Sequence, residues 1–306
     1  MKQFWRRLPR WLRISCGSLS LVCLLTLLLV GYGWWYFHPS IKRTDGVTYG
    51  QRHGKPLTMD VLRPARPNGL AVAAIVSGGW KSGGPGEAPA PLVAPLLRAG
   101  YTVFAICHIS QPEASVMEII EDCHRGIRFV RHHADQYGVD PDRIGVTGGS
   151  AGGHLSLMLA TTGGPGSEDA DDPVERESSA VQAVAIFYPV TDLLNMGDST
   201  ENLGDGGPPK SYTKSFGPGI EQPKRWQLVA KQCSPIYHVH PKMPPTLIFH
   251  GDADTLTPLD QSQRFCAAAS EAGTEVDLVV HPGGGHGWLT LPLDFVEFAD
   301  WFDRHL

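Results

Sequence analysis

The sequence predicts an α/β protein, a mostly parallel sheet covered by helices on both faces. Three observations predict it. Short, almost uninterrupted apolar runs alternate with helix-forming stretches from about residue 45 to the C-terminus. Strands that read as continuous apolar runs are buried on both faces, as in a parallel sheet between two helical layers. The 306 residues, 42% of them hydrophobic, suffice for one large core. The 35 glycines and 25 prolines fit many tight loops between elements. A net charge of −5 leaves no basic footprint, so nucleic acid is not an expected partner.

The chain opens on a basic stretch, residues 1–13, with Lys2, Arg6, Arg7, Arg10 and Arg13. Residues 14–37 carry no charge, have an aliphatic centre at 19–30, and end on Trp34, Trp35 and Tyr36. About 20 apolar residues cross a bilayer core, and interfacial aromatics close such spans. The expectation is an uncleaved, single-pass membrane anchor at 14–37. The basic end would lie in the cytoplasm and the domain at 45–306 on the non-cytoplasmic side. A cleaved signal peptide, releasing a secreted protein, is the alternative; no A-x-A-like site follows the apolar centre.

Within 45–306 the elements follow in order. Residues 46–62 read as a small antiparallel hairpin, 71–76 as a buried strand, and 91–99 as a helix stopped by Gly100. Residues 101–106 form the next strand. Ile119, Ile120, Cys123, Ile127 and Val130 share one face of a long helix over 116–137. Residues 142–147 read as strand and 153–160 as helix. Strands at 181–188, 246–250 and 276–280 follow, with helices at 262–272 and 295–305. The acidic segment 163–179 reads as a solvated loop. The insertion at 195–233, rich in glycine, proline and lysine, is longer than ordinary connections and is read as a lid over the site, with a plain surface excursion as the alternative. Cys107, Cys123, Cys233 and Cys266 allow three disulfide pairings or stand as buried thiols. None has C-x-x-C spacing, so no metal is expected.

Gly148-Gly149-Ser150-Ala151-Gly152 is a G-x-S-x-G run between an expected strand and an expected helix. A sharp strand-to-helix turn exposes the serine hydroxyl, and flanking glycines let the backbone pass close by. Such a hydroxyl becomes a nucleophile beside a base that is oriented by an acid, with donors for the developing oxyanion. Two loops at strand ends supply candidates downstream. His250-Gly251-Asp252-Ala253-Asp254 offers Asp252 and Asp254; Gly283-Gly284-Gly285-His286-Gly287-Trp288 offers His286 among small residues. His281, before Pro282, suits packing better, and Asp192 suits anchoring of the insertion. Ala151 and the loop Ser77-Gly78-Gly79-Trp80 are placed to supply backbone donors, with Gly79 first and Trp80 second.

These pieces resemble the α/β-hydrolase esterase/lipase family with an HGGGW-like oxyanion loop, close to bacterial acetyl xylan and feruloyl (BD-FAE-like) esterases. The motifs Ser77-Gly78-Gly79-Trp80, Gly138-Val139-Asp140-Pro141-Asp142-Arg143-Ile144, Gly148-Gly149-Ser150-Ala151-Gly152-Gly153-His154, the Asp254 loop and Gly285-His286-Gly287 carry it. The resemblance implies Ser150 as nucleophile, Asp254 as acid and His286 as base, with no metal or cofactor. It implies a serine carboxylic-ester hydrolase acting through an acyl-enzyme on short acyl esters, acetylated carbohydrate included. Trp80 and Trp288 then offer faces for substrate, with core or rim packing as the alternative. Amide or peptide hydrolysis, of arylformamidase or prolyl-oligopeptidase type, and a non-catalytic anchored binding module are the rival readings. One departure stands out: the family's leading histidine in the oxyanion loop is missing, with Ser77 in its place.

Overall fold

The computed structural model describes residues 10–306, with side chains from Leu21 onward. Two compact units result, one ending at Pro39 and one running from Ser40 to Leu306. The first holds α1 (Arg10–Phe37). Lys2, Arg6 and Arg7 lie outside the described residues. Among those described, no helix is long and apolar enough to cross a membrane. This overturns the expected anchor at 14–37, and with it the single-pass placement of the domain and the membrane as a partner. The physical shortfall is visible in the sequence. The aliphatic run 19–30 makes about 18 Å of helix at 1.5 Å per residue, against a hydrocarbon core of about 30 Å. Gly31, Gly33 and the aromatic cluster extend the helix without extending that run.

The second unit is built on one eight-stranded sheet. Its strands are β1 (Ile41–Arg52), β2 (Lys55–Pro64), β3 (Ala71–Ile75), β4 (Thr102–Ile106), β5 (Ile144–Gly149), β6 (Ala183–Phe187), β7 (Thr246–Gly251) and β8 (Val276–His281). The order is β1-β2-β4-β3-β5-β6-β7-β8. The β1–β2 and β2–β4 pairs are antiparallel, and every later pair is parallel. From β3 the chain moves one way to β4 and the other way to β5. Open α/β sheets place their crevices at such a reversal, beyond the carboxyl ends of the strands.

Alternation along β3 shows how both faces are sealed. Ala71, Ala73 and Ile75 pack into one core cluster, while Val72, Ala74 and Val76 pack into the other. On the first face lie α3 (Val116–His132), α5 (Ala151–Thr162) and α7 (Asp260–Glu271), contributing Ile119, Ile127, Leu155 and Phe265. On the second lie α2 (Ala90–Arg98) and α8 (Leu291–His305), with Leu96, Phe298, Trp301 and Phe302. Each such buried side chain contributes roughly 1.5–3 kcal/mol of transfer free energy.

Helix starts follow local chemistry. Ser115 and Glu118 form a reciprocal capping box at the start of α3. The expected helix over 116–137 breaks at His133, and α4 (Ala134–Tyr137) ends on Gly138 in the left-handed conformation. The segment 163–179 departs from its reading as a solvated loop. Asp172 pairs with Arg125 at 2.6 Å, and Glu175 with Arg125 at 2.5 Å and Arg128 at 3.2 Å, docking the segment on α3. The insertion at 195–233 contains a short 3-10 turn (Thr213–Phe216) and α6 (Pro223–Gln232). Cys107, Cys123, Cys233 and Cys266 are free thiols. Burial pushes Cys107 and Cys266 up to about 11, and Cys233 up to about 12.

Candidate active site

Ser150 sits between β5 and α5 at φ +55°, a backbone region that costs a non-glycine residue about 1–3 kcal/mol. The turn is held by Ser150 N–H donating to Phe187 O at 3.0 Å and Gly152 N–H to Ser77 O at 3.1 Å. The surrounding glycines answer a shortage of space. A Cβ on Gly148 would lie 2.5 Å from the Gly152 carbonyl carbon, and one on Gly152 would lie 2.7 Å from Ile75 O. Gly149 is different, with nothing nearer than 3.7 Å.

The loops after β7 and β8 bring the other two candidates to this serine. Ala253 N–H donates to Gly284 O at 2.8 Å and Asp252 N–H to His281 O at 3.2 Å, tying the loops together. His286 Nε2 lies 2.9 Å from Ser150 Oγ, and its Nδ1 lies 2.7 Å from Asp254 Oδ2. An ionised carboxylate only accepts, so Nδ1 carries the proton and Nε2 is free to accept from the hydroxyl. Asp254 Oδ1 accepts the N–H groups of Leu256 and Thr257, each at 2.9 Å. Burial opposes the charge on Asp254, but hydrogen bonds from His250, His286 and Thr257 win and hold its carboxyl well below the usual range. Tyr188, itself at positive φ, lays its ring 4.4 Å from that of His286.

The competing candidates have other work. Asp252 Oδ1 accepts Gly283 N–H at 2.6 Å. His281 stacks on Trp288 at 4.3 Å and faces Asp294 at 3.3 Å. Asp192 caps the start of the insertion through Leu194 and Asn195 and pairs with Arg264 at 2.5 Å.

Gly78 to Lys81 form a tight turn, closed in both directions by Gly78 and Lys81 main-chain bonds of 2.9 and 3.0 Å. Gly79 and Trp80 both have φ +55°, as a type I′ turn requires of its central residues. Their carbonyls are held from outside the turn. Gly79 O accepts from Gln111 Nε2 at 3.3 Å and Trp80 O from Gln111 N–H at 3.0 Å. In a trans peptide N–H and C=O point oppositely, so the Trp80 N–H faces away from Gln111. Among the described residues, no protein acceptor takes the N–H of Gly79, Trp80 or Ala151. Successive free N–H groups in such a turn, and those of a helix first turn, are each of the kind that binds anions.

Ser77, which stands where the resembled family carries a histidine, is itself met by a histidine from elsewhere in the chain. His108, at the end of β4, places Nε2 2.8 Å from Ser77 Oγ, and its Nδ1 donates to Ile109 O at 2.9 Å. Burial pushes His108 down to about 4, so it stays neutral and accepts the Ser77 hydroxyl.

Two spaces meet at Ser150. One is a cavity of about 30 Å³ lined by Trp80, Ala151 and Val190 with Met196, Glu201 and Tyr212 of the insertion. The other is an open cleft of about 640 Å³ that includes Lys81, Glu87, Tyr188, Tyr212, His286 and Phe295. The Trp80 indole is 3% exposed and packs inward, and Trp288 lies behind Tyr188, outside both linings. A larger groove, about 920 Å³, lies elsewhere along β1 and α3; its Arg52, Arg125 and Arg128 are already engaged by carboxylates. Sequence reasoning did not single out Tyr188, His108, Gln111 or Tyr212. Of these only Tyr188, at a strand end before Pro189, carried a local signal.

A mostly parallel eight-stranded sheet, with a serine turn after β5 and acid and histidine loops after β7 and β8, is the α/β-hydrolase fold. The chain belongs to the BD-FAE family, which matches residues 59–268. It is 31% identical over 244 residues to esterase LipQ of Mycobacterium tuberculosis, covering 76% of this chain and 53% of that protein. The chain spans about half the length of the first curated relatives it matches. Among solved structures, it is similar to a truncated carbohydrate esterase from gut microbiota. There the TM-score is 0.71 and the identity 28%, with 86% of this chain and 95% of that one covered. The butyrate-bound thermophilic esterase Est2 of Thermogutta terrifontis matches at TM-score 0.64 and 28% identity, covering 86% and 92%.

Proposed function

We propose that the protein is a carboxylic-ester hydrolase that works through Ser150. His286 takes the serine proton as the hydroxyl attacks the ester carbonyl, and returns it to the departing alcohol. Asp254 holds the imidazole in the accepting tautomer and stabilises its charged form. Ala151 N–H, with N–H groups of the Gly79–Trp80 turn, receives the oxyanion; water then attacks the acyl-enzyme by the same route. The observation that carries this reading is the unbroken chain from Ser150 Oγ through His286 to Asp254, at 2.9 and 2.7 Å. The names of the relatives, esterases in both comparisons, support it.

The unequal spaces beside Ser150 bear on substrate. About 30 Å³ holds roughly two water-sized volumes, enough for an acetyl or propionyl tail and little more. The open cleft admits a bulky alcohol. A short acyl group on a large alcohol, acetylated carbohydrate among them, fits both; the carbohydrate esterase of similar structure supports that choice.

The test uses the full chain. Wild type is expected to hydrolyse p-nitrophenyl acetate and to be labelled by a fluorophosphonate, and Ser150→Ala to do neither. Absence of labelling in wild type, or equal labelling of the variant, removes the serine reading. Faster turnover of N-formylkynurenine than of the acetate would instead favour an amide hydrolase.

A further inference from the structure

Trp80 bears the largest side chain in the protein on a backbone that bulky residues avoid. At φ +55° it stays in place only if its surroundings over-determine it. They do so through rings and one hydrogen bond. His154, Tyr212 and Phe216 meet the indole edge-on, with centroids 5.5, 5.3 and 5.6 Å away. The indole N–H donates to His154 Nδ1 at 3.1 Å. On its far side His154 Nε2 lies 2.6 Å from the carbonyl of Cys233, the residue that ends α6 of the insertion.

Chemistry fixes the state of this imidazole. An indole N–H only donates and a carbonyl only accepts, so His154 is neutral, with its proton on Nε2. It is completely buried, and burial pushes it down to about 4. Its own place is set by α5, where its N–H donates to Ser150 O at 2.9 Å. One side chain thus joins the serine helix, the oxyanion turn and the end of the insertion.

We propose that His154 is a positioning residue. The chain from Cys233 C=O through His154 to the Trp80 indole locks the left-handed turn, and so aims its free N–H groups at the space beside Ser150. The insertion's docked position then becomes a condition of oxyanion stabilisation. The inference rests on the reading of Ser150 as nucleophile. Without the lock, Trp80 relaxes toward ordinary backbone angles and its peptide rotates. Because an oxyanion hole acts on the transition state more than on bound ester, the loss falls on kcat and spares KM.

The test compares Trp80→Phe, which keeps the ring and removes the N–H, with His154→Leu, His154→Gln and the Trp80→Phe/His154→Leu double variant, all in the full chain. Deleting an oxyanion donor costs about 100- to 1,000-fold, and misaiming one is expected to cost about 10- to 100-fold in kcat for p-nitrophenyl acetate. KM is expected to stay within about threefold. Affinity for a trifluoromethyl ketone, which mimics the tetrahedral adduct, is expected to fall in parallel. The double variant should be no slower than His154→Leu, since both break one chain. His154→Gln, able to accept and donate through its amide, should recover part of the rate. Should His154→Leu fail to fold, Trp80→Phe and His154→Gln carry the test alone. Wild-type kcat in Trp80→Phe, or lowered Tm without loss of ketone affinity, overturns the proposal. An inactive wild type would instead overturn the underlying serine reading.

Discussion

Replacing Asp254 by asparagine separates charge and tautomer from shape, and the structure dictates how the amide must sit. Oδ1 of Asp254 accepts two main-chain N–H groups, those of Leu256 and Thr257. An asparagine keeps its carbonyl oxygen there, because its NH2 group would meet two donors. The NH2 group is thereby placed where Oδ2 now lies, 2.7 Å from His286 Nδ1. It can only donate, so it forces His286 to accept at Nδ1 and to carry its proton on Nε2. That proton points at Ser150 Oγ, 2.9 Å away, and the imidazole can no longer take the serine proton. The corresponding change in a well-studied serine protease drops kcat about 10⁴-fold, or about 5.4 kcal/mol in activation free energy. A loss of that order is expected here in kcat for p-nitrophenyl acetate at neutral pH. If Asp254→Asn keeps kcat within about tenfold of wild type, the tautomer argument is wrong.

Three further outcomes follow from the structure. Gly148→Ala should destabilise by about 1–3 kcal/mol, since its Cβ meets backbone at 2.5 Å, whereas Gly149→Ala should change stability by less than about 0.5 kcal/mol. Urea melts of the two variants check this, and equal midpoints would refute it. Activity toward p-nitrophenyl esters should fall at least about tenfold from acetate to hexanoate, and Met196→Ala, which opens the small cavity, should narrow that ratio. Stability should decline as pH falls from about 6.5 toward 4. Burial holds His108 and His154 neutral down to about 4, while the unfolded chain protonates its histidines near 6.5 and so binds more protons in that window. Asp254, held low in the folded state, adds a further loss below about pH 4. A Tm that is constant or rising from pH 7 to 5 would contradict the assignment.

The sheet was legible because parallel strands buried on both faces leave little choice of residue. The runs 71–76 and 247–249 are wholly apolar, and they become β3 and the centre of β7. The serine turn was legible for a related reason, as its glycines answer backbone crowding that no other residue fits. Choosing between Asp252 and Asp254 from the residues alone was harder. They lie two positions apart, and only the loop's path turns one toward His286 and the other toward Gly283. The bracing residues lay beyond local pattern altogether. His108 reaches Ser77 across 31 positions, Gln111 reaches Gly79 across 32, and His154 reaches Trp80 across 74. Aromatic residues in loops were ambiguous in another way: the Trp80 ring packs on Tyr212 while lining the small cavity at Ser150, and the Trp288 ring stacks on His281. At the N-terminus, absence of charge suggested a span, but the aliphatic run is too short to supply one.

Ser150 and His286 are separated by 136 positions, and His286 follows the strand at the far edge of the sheet, which pairs with β7 alone. Contacts this distant in sequence form late, because the intervening chain must lose its freedom before they stabilise anything. During refolding, helix content should therefore return ahead of turnover. On the proposed function, turnover would report the docking of the final strand and serve as a clock for the completion of the fold.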